Sequence, residues 1–153
     1  MSEHKLLKPT NIFQRLFCVT ISPPPADAGC WNLTGDKLEI NLTRAPELQP
    51  IGRSIRLEDD KLPDRVLLVH ADDGTFHAFR NRCACGGFRI DPVPGEAKVR
   101  CCTPMQSTYD LTGKPTGRHP DKDVETLAVT VSDGLLTVDI TPLRQPAPHT
   151  RKT

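Results

Sequence analysis

No run of apolar residues in the chain approaches the roughly 20 that a bilayer-crossing helix needs, so no membrane span is expected. Long blocks of one charge are missing too. Twenty Lys and Arg stand against 19 Asp and Glu, for a formal net charge of +1. That balance offers neither the basic stripe of a nucleic-acid binder nor an attraction to anionic lipid. There is no internal repeat, no low-complexity tract beyond clusters of proline, and no nucleophile and base that stand out as a pair. A secretory leader is not evident either. The best apolar candidate, residues 12–21, is interrupted by Gln14 and Arg15 and followed by Ser22-Pro23-Pro24-Pro25 without a small-residue cleavage site. The expectation is a cytoplasmic protein.

What the sequence does contain is proline and cysteine. Fifteen prolines disfavour a helical bundle, whose helix interiors tolerate proline poorly, and point to a loop-rich β protein. A chain of 153 residues buries one ordinary core, so one domain with extensions is expected. Residues 1–11 and the tail 141–153 are polar and proline-punctuated, and are expected to be poorly ordered. Residues 12–52 hold two apolar stretches, 12–21 and the alternating Leu38, Ile40 and Leu42, on either side of a proline turn and Gly29-Cys30-Trp31. This segment reads as a strap or added hairpin.

The main domain is expected over residues 53–140. Ile55 and Leu57 alternate, residues 65–70 form an apolar run, and Asp72-Asp73-Gly74 turns the chain into residues 75–80, which predicts a hairpin. A second hairpin is predicted where Leu127, Val129 and Val131 alternate, Ser132-Asp133-Gly134 turns, and Leu136, Val138 and Ile140 alternate on the return. Four of the six cysteines sit between the two hairpins. In a reducing compartment six cysteines suit metal binding or redox chemistry better than a disulfide framework.

The insertion reads Asn81-Arg82-Cys83-Ala84-Cys85-Gly86-Gly87, and then Cys101-Cys102-Thr103-Pro104-Met105-Gln106-Ser107-Thr108-Tyr109-Asp110-Leu111-Thr112-Gly113. This pattern resembles that of Rieske-type [2Fe-2S] proteins, in which a Cys-x-His loop and a Cys-x-x-His loop each give one Cys to one iron and one His to the other. Sixteen residues lie between Cys85 and Cys102, as the family spacing requires. The stretch Tyr109-Asp110-Leu111-Thr112-Gly113 matches the aromatic-Asp-x-x-Gly turn that follows the second loop.

The resemblance implies an all-β fold: a Rieske-like antiparallel sandwich with an inserted two-loop metal-binding subdomain. In its register Cys83 and Cys102 take the family's cysteine positions, while Cys85 and Met105 take its histidine positions. Ser107 and Tyr109 fall where family hydroxyls bond cluster sulfur, and His119 lies near the loop that covers the cluster. A thioether is a soft, neutral donor and not a usual ligand of a [2Fe-2S] centre. Cys101, His119, Cys18 or Cys30 is therefore an alternative fourth donor to Met105. Cys101 adjoins Cys102 on a strand, where neighbours point to opposite faces, and its other reading is a small buried hydrophobe. Met105 reads equally as a filler of a vacated site. Cys18 and Cys30 read as structural, His70 and His77 as ordinary strand residues, and Trp31 as an anchor for the strap.

Three functions follow from the resemblance. The first is an electron-transfer protein or subunit carrying a cysteine-rich [2Fe-2S] cluster and serving a redox partner or larger oxidoreductase complex. The second is a cluster-free interaction subunit of such a complex, and the third a zinc module built on Cys83, Cys85 and Cys102. A free-standing oxygenase would need a further catalytic domain with its own iron site.

Overall fold

The computed structural model describes residues 19–84, 86–103, 106–117 and 122–147. Cys18, Cys85, Met105 and His119 lie outside the described residues. Among those described there is no α-helix, only four short 3-10 turns and eleven strands. All strand pairs are antiparallel, as the proline content and the short apolar runs predict.

The first sheet contains β1 (Trp31–Thr34), β2 (Lys37–Asn41), β10 (Val129–Ser132) and β11 (Leu135–Asp139), in the order β1-β2-β11-β10. The second orders β3 (Ser54–Leu57), β4 (Val66–His70), β5 (Phe76–Arg80) and β9 (Thr126–Leu127) as β3-β4-β5-β9. The third sheet is β6 (Ile90–Pro92), β7 (Lys98–Cys101) and β8 (Thr108–Asp110). It is inserted between β5 and β9 and carries the cysteine loops.

Two cores hold these layers together. Leu38, Ile40, Leu136, Val138 and Ile140 of the first sheet and its margin pack against Ile55, Leu57, Val66, Leu68 and Ala78 of the second. On the other face of the second sheet Leu67, Val69 and Phe79 pack against Ile90, Val99, Cys101 and Tyr109 of the third. Period-2 alternation along β4 sends Val66 and Leu68 to one core and Leu67 and Val69 to the other, which is why this strand reads as an unbroken apolar run. Each fully buried aliphatic side chain contributes about 1.5–3 kcal/mol relative to exposure.

The segment 12–52, read as a strap or added hairpin, holds the hairpin β1–β2: β2 pairs with β11 from Leu135↔Asn41 to Asp139↔Lys37, so half of the first sheet comes from it. One detail differs from the sequence reading: the alternation Leu127, Val129, Val131 is not one strand. β9 pairs with β5, whereas β10 turns into the first sheet, and Val131 is exposed. The return is a two-residue turn in which Asp133 and Gly134 both have positive φ, the geometry that matches strand twist.

The tail expected to be flexible is packed over residues 141–147. Leu143 and Ala147 are buried, and Arg80 explains why. Its side chain is 3% exposed, ion-pairs with Asp64 at 2.8 Å and with Glu125, and donates to the carbonyls of Pro142 at 2.7 Å and Gln145 at 2.8 Å. Burial pushes the Asp64 carboxyl up, but hydrogen bonds from Arg82, the Arg65 amide and Arg80 outweigh it and hold Asp64 below its ordinary value. Replacing Arg80 by Leu takes a charged donor from two carboxylates and two carbonyls, although Asp64 keeps Arg82 and the Arg65 amide and Pro142 O keeps Gln145 N. The expected loss is about 3–5 kcal/mol in denaturant unfolding, with faster proteolysis of the tail. A loss below about 1 kcal/mol would mean that the tail is held by other contacts.

Candidate metal centre

The first cysteine loop leaves β5 at Asn81, and its backbone closes on itself: Cys83 N donates to Phe88 O at 2.7 Å and Gly87 N to Cys83 O at 2.9 Å. Arg65 at the start of β4 holds the loop from behind. Its Nε donates to Asn81 O at 3.1 Å and its Nη2 to Gly87 O, while Asn81 N donates back to Arg65 O at 2.9 Å. The Asn81 Oδ1 accepts from Ile90 N at 2.7 Å, joining the loop to β6. Neither Arg65 nor Asn81 is conspicuous in the sequence. The only signal was an arginine directly before an apolar strand and an asparagine directly after one.

The second loop follows β7 and is closed at its base by Cys101 N donating to Ser107 O at 2.8 Å. Inside it Gln106 N donates to Thr103 O at 3.1 Å, with Gln106 in the left-handed region at φ 50°. The turn after β8 depends on its glycine. Gly113 has φ 89°, and a Cβ there would lie 2.2 Å from Val124 O. Asp110 Oδ1 accepts from the Thr112 hydroxyl and from Thr112 N and Lys114 N, and the hydroxyl above all holds this carboxyl below its ordinary value.

The two loops lie side by side. Cys102 N donates to Arg89 O at 3.0 Å, and Ala84 N in the first loop donates to the hydroxyl of buried Tyr109 at 3.1 Å. Of the cysteines, Cys83 and Cys101 are buried thiols, 1% and 2% exposed, in the core beneath the loops. Cys101 ends β7 within that core. Its thiol hydrogen-bonds that of Cys83, the largest cause of a pKa pushed far above the ordinary thiol range, with burial adding to it. The Thr103 hydroxyl lies 3.1 Å from Cys101 Sγ. Cys102 is in a disulfide whose partner lies outside the described residues. Cys30 packs in the other core, away from the loops, as a structural cysteine would.

Ser107 is the feature that invites a ligand. It is 2% exposed, and its hydroxyl has no hydrogen-bond partner. A buried orphan hydroxyl costs about 1–3 kcal/mol of desolvation and calls for an acceptor or donor at the loops. With Cys83 buried in the first loop and the Tyr109 hydroxyl between the loops, these residues fit a sulfur-containing cluster. Burial, and after it the charges of Arg82 and Arg89, depress the Arg65 pKa against the opposing pull of Glu58 and Asp64, which ion-pair with those two arginines behind the first loop. Among the described residues, no three His, Cys, Asp or Glu side chains form a group able to hold a metal ion.

No protein-family model matches the chain, and no curated protein matches its sequence. Solved structures do match. A chain from the complex of reduced oxygenase and oxidized ferredoxin in carbazole 1,9a-dioxygenase aligns with a TM-score of 0.56 at 16% identity, over 69% of this chain and 94% of that one. The quaternary ammonium Rieske monooxygenase CntA with a bound inhibitor aligns with a TM-score of 0.50 at 15% identity, over 63% of this chain and 29% of that one. The chain thus spans less than a third of the length of the monooxygenase chains it matches. The fold is the Rieske-like all-β fold. Among the described residues no helix is long and apolar enough to cross a membrane.

Two substitutions separate the roles of the hydroxyls. Tyr109→Phe strands the Ala84 amide, and is expected to cost about 1–3 kcal/mol in thermal or denaturant unfolding of the apoprotein. Ser107→Ala removes a hydroxyl that has no partner, so the apoprotein is expected to be as stable as wild type or up to about 1 kcal/mol more stable. A clear destabilisation of the Ser107→Ala apoprotein would show that the hydroxyl already has a partner.

Proposed function

We propose that this chain is an electron-transfer protein or subunit that carries a cysteine-rich [2Fe-2S] cluster on its two loops. The buried, partnerless hydroxyl of Ser107 carries the reading, because in the resembling family that position bonds cluster sulfur. Cys83, Cys85 and Cys102 are the proposed thiolate ligands, with Met105 or Cys101 as the fourth donor and His119 as the alternative from the covering loop. When bound, such a cluster accepts and releases one electron at a time. The chain's own residues bind and shield it. Tyr109 ties the first loop to β8, and Arg65 fixes that loop's backbone. The proposed partner is a redox protein or a larger oxidoreductase complex, and the proposed compartment is the cytoplasm.

A second reading rests on Cys102. Its disulfide removes one of the two family cysteines from the thiolate pool, which suits a cluster-free interaction subunit. The two readings part on reduction. Under the first, reduced protein incubated anaerobically with iron and sulfide takes up a cluster, seen as equimolar iron and acid-labile sulfide and a visible charge-transfer spectrum, whereas unreduced protein does not. Cys83→Ser and Cys102→Ser each abolish or greatly weaken it.

Thiolate in place of imidazole lowers the expected potential from the Rieske range of about −150 to +300 mV towards the roughly −400 mV of plant-type ferredoxins, and removes its fall between about pH 7 and 9. Ser107→Ala should lower it further, since a donor to sulfur is lost. Reduced protein without metal, with Cys83→Ser and Cys102→Ser as stable as wild type, would decide for the second reading.

A further inference from the structure

A cavity of about 390 Å³ lies between the root of the first cysteine loop and residues 143–147 of the tail. The guanidiniums of Arg80, Arg82 and Arg144 line it, against the single carboxylate of Asp64. Pro63, Leu143 and Pro146 give the rest of its wall an apolar surface.

Donors and acceptors around this cavity are unequally used. Asp64 Oδ1 accepts from Arg65 N and Arg82 Nε, and its Oδ2 from Arg82 Nε and Arg80 Nη1, all at 2.8 Å. The carbonyls of Pro142 and Gln145 are taken by Arg80 Nη2, which fixes the tail side of the cavity. These acceptors are spent, but donors are left over. Arg82 meets Asp64 with Nε alone, so among the described residues the edge formed by its Nη1 and Nη2 makes no hydrogen bond. Arg144 gives Nε to Asp36 Oδ1 at 2.9 Å and Nη2 to Gly35 O at 3.4 Å, which leaves its Nη1. The Arg82 and Arg144 side chains are 33% and 47% exposed, so a solute can reach both.

A cation entering here would meet three guanidiniums, and a neutral donor would compete for acceptors already engaged. An oxyanion meets the opposite situation, because the free edge of a guanidinium matches the two oxygens of a carboxylate or phosphate. Asp64 and Asp36 already offset the charge of Arg82 and Arg144, so the attraction comes from oriented N–H groups more than from net charge. We propose that this cavity binds a small organic oxyanion, a carboxylate or phosphate carried on an apolar body. Arg82 takes the anionic group through Nη1 and Nη2, Arg144 adds Nη1 from the tail side, and Pro63, Leu143 and Pro146 cover the apolar part. Arg82 adjoins Cys83 in sequence, but the site uses no cysteine and stands whether or not the loops carry a cluster.

The test is a nuclear magnetic resonance titration of the isotope-labelled full chain with benzoate, phenyl phosphate, inorganic phosphate and uncharged benzyl alcohol. Saturable shifts are expected for the Nε–H signals of Arg82 and Arg144 and the amides of Gln145 and Ala147, with a Kd of about 0.1–10 mM for at least one organic anion. Tighter binding of benzoate assigns a carboxylate ligand, and tighter binding of phenyl phosphate a phosphate ligand. Arg82→Lys keeps the charge beside Asp64 but loses the fork, and Arg144→Gln loses the tail donor; each should weaken binding about tenfold. Arg44→Gln removes an exposed arginine paired bidentately with Asp27, outside the cavity, and should leave binding unchanged. Where Arg82→Lys fails to fold, Arg144→Gln on its exposed side chain decides. No saturable shift up to about 10 mM, benzyl alcohol binding as tightly as benzoate, or full affinity in the cavity variants overturns the proposal. Equal weakening by Arg44→Gln overturns it too, and inorganic phosphate as tight as phenyl phosphate overturns the role of the apolar wall.

Discussion

Val66, Leu67, Leu68 and Val69 send alternate side chains into two different cores, and the rest of the molecule is arranged around that constraint. A central strand buried on both faces can have no solvated side. The first sheet must therefore cover one face and the inserted third sheet the other. The third sheet is short, and its face towards β4 is filled partly by sulfur and a tyrosine ring instead of by aliphatic side chains alone. The cysteine loops thus do not hang from the domain. Their roots, Cys83 and Cys101, are core residues, and any change in the chemistry of those sulfurs is felt in the packing of the central sheet.

That coupling explains the scaffolding around the loops. Arg65 directly precedes the strand that separates the cores and binds two carbonyls of the first loop. Asn81 directly follows the neighbouring strand and reaches the third sheet through Ile90 N. Asp91, on β6, accepts hydrogen bonds from Thr20 and Ser22 side chains and from the amides of Ile21 and Ser22, pinning the incoming chain across the third sheet. Polar groups that would be costly if unpaired are here paired across elements, so each bond fixes a distance between sheets as well as satisfying a group. Ser107 Oγ is left over, as are Asn81 Nδ2 and Glu47 Oε2, but Ser107 sits at the second cysteine loop.

The hairpin β4–β5, the buried alternation of Leu136, Val138 and Ile140, and the glycine turn after β8 were legible because each is a local pattern. Side-chain period and turn residues lie within a few positions of one another. The assignment of Leu127 and Val131 to one strand failed for a related reason. Alternation continues through Ala128 in the sequence, but the two residues pair with different partners, and pairing is not written in periodicity. The packing of residues 141–147 was not legible because it depends on Arg80, more than sixty residues earlier, whose guanidinium binds the carbonyls of Pro142 and Gln145.

By itself the sequence determined the fold class, the two cysteine loops and their spacing, since turn chemistry, strand alternation and loop length are short-range properties of the chain. It also placed Ser107 and Tyr109 beside those loops. Tertiary structure alone decided that Cys83 and Cys101 share one core, that Arg65 and Asn81 brace the first loop, and that the hairpin of residues 31–41 supplies half of a sheet. The physical reason is common to all three. Each depends on which distant backbone a side chain or strand meets once two cores close over β4, and contacts between residues far apart in sequence are set by packing, not by local preference.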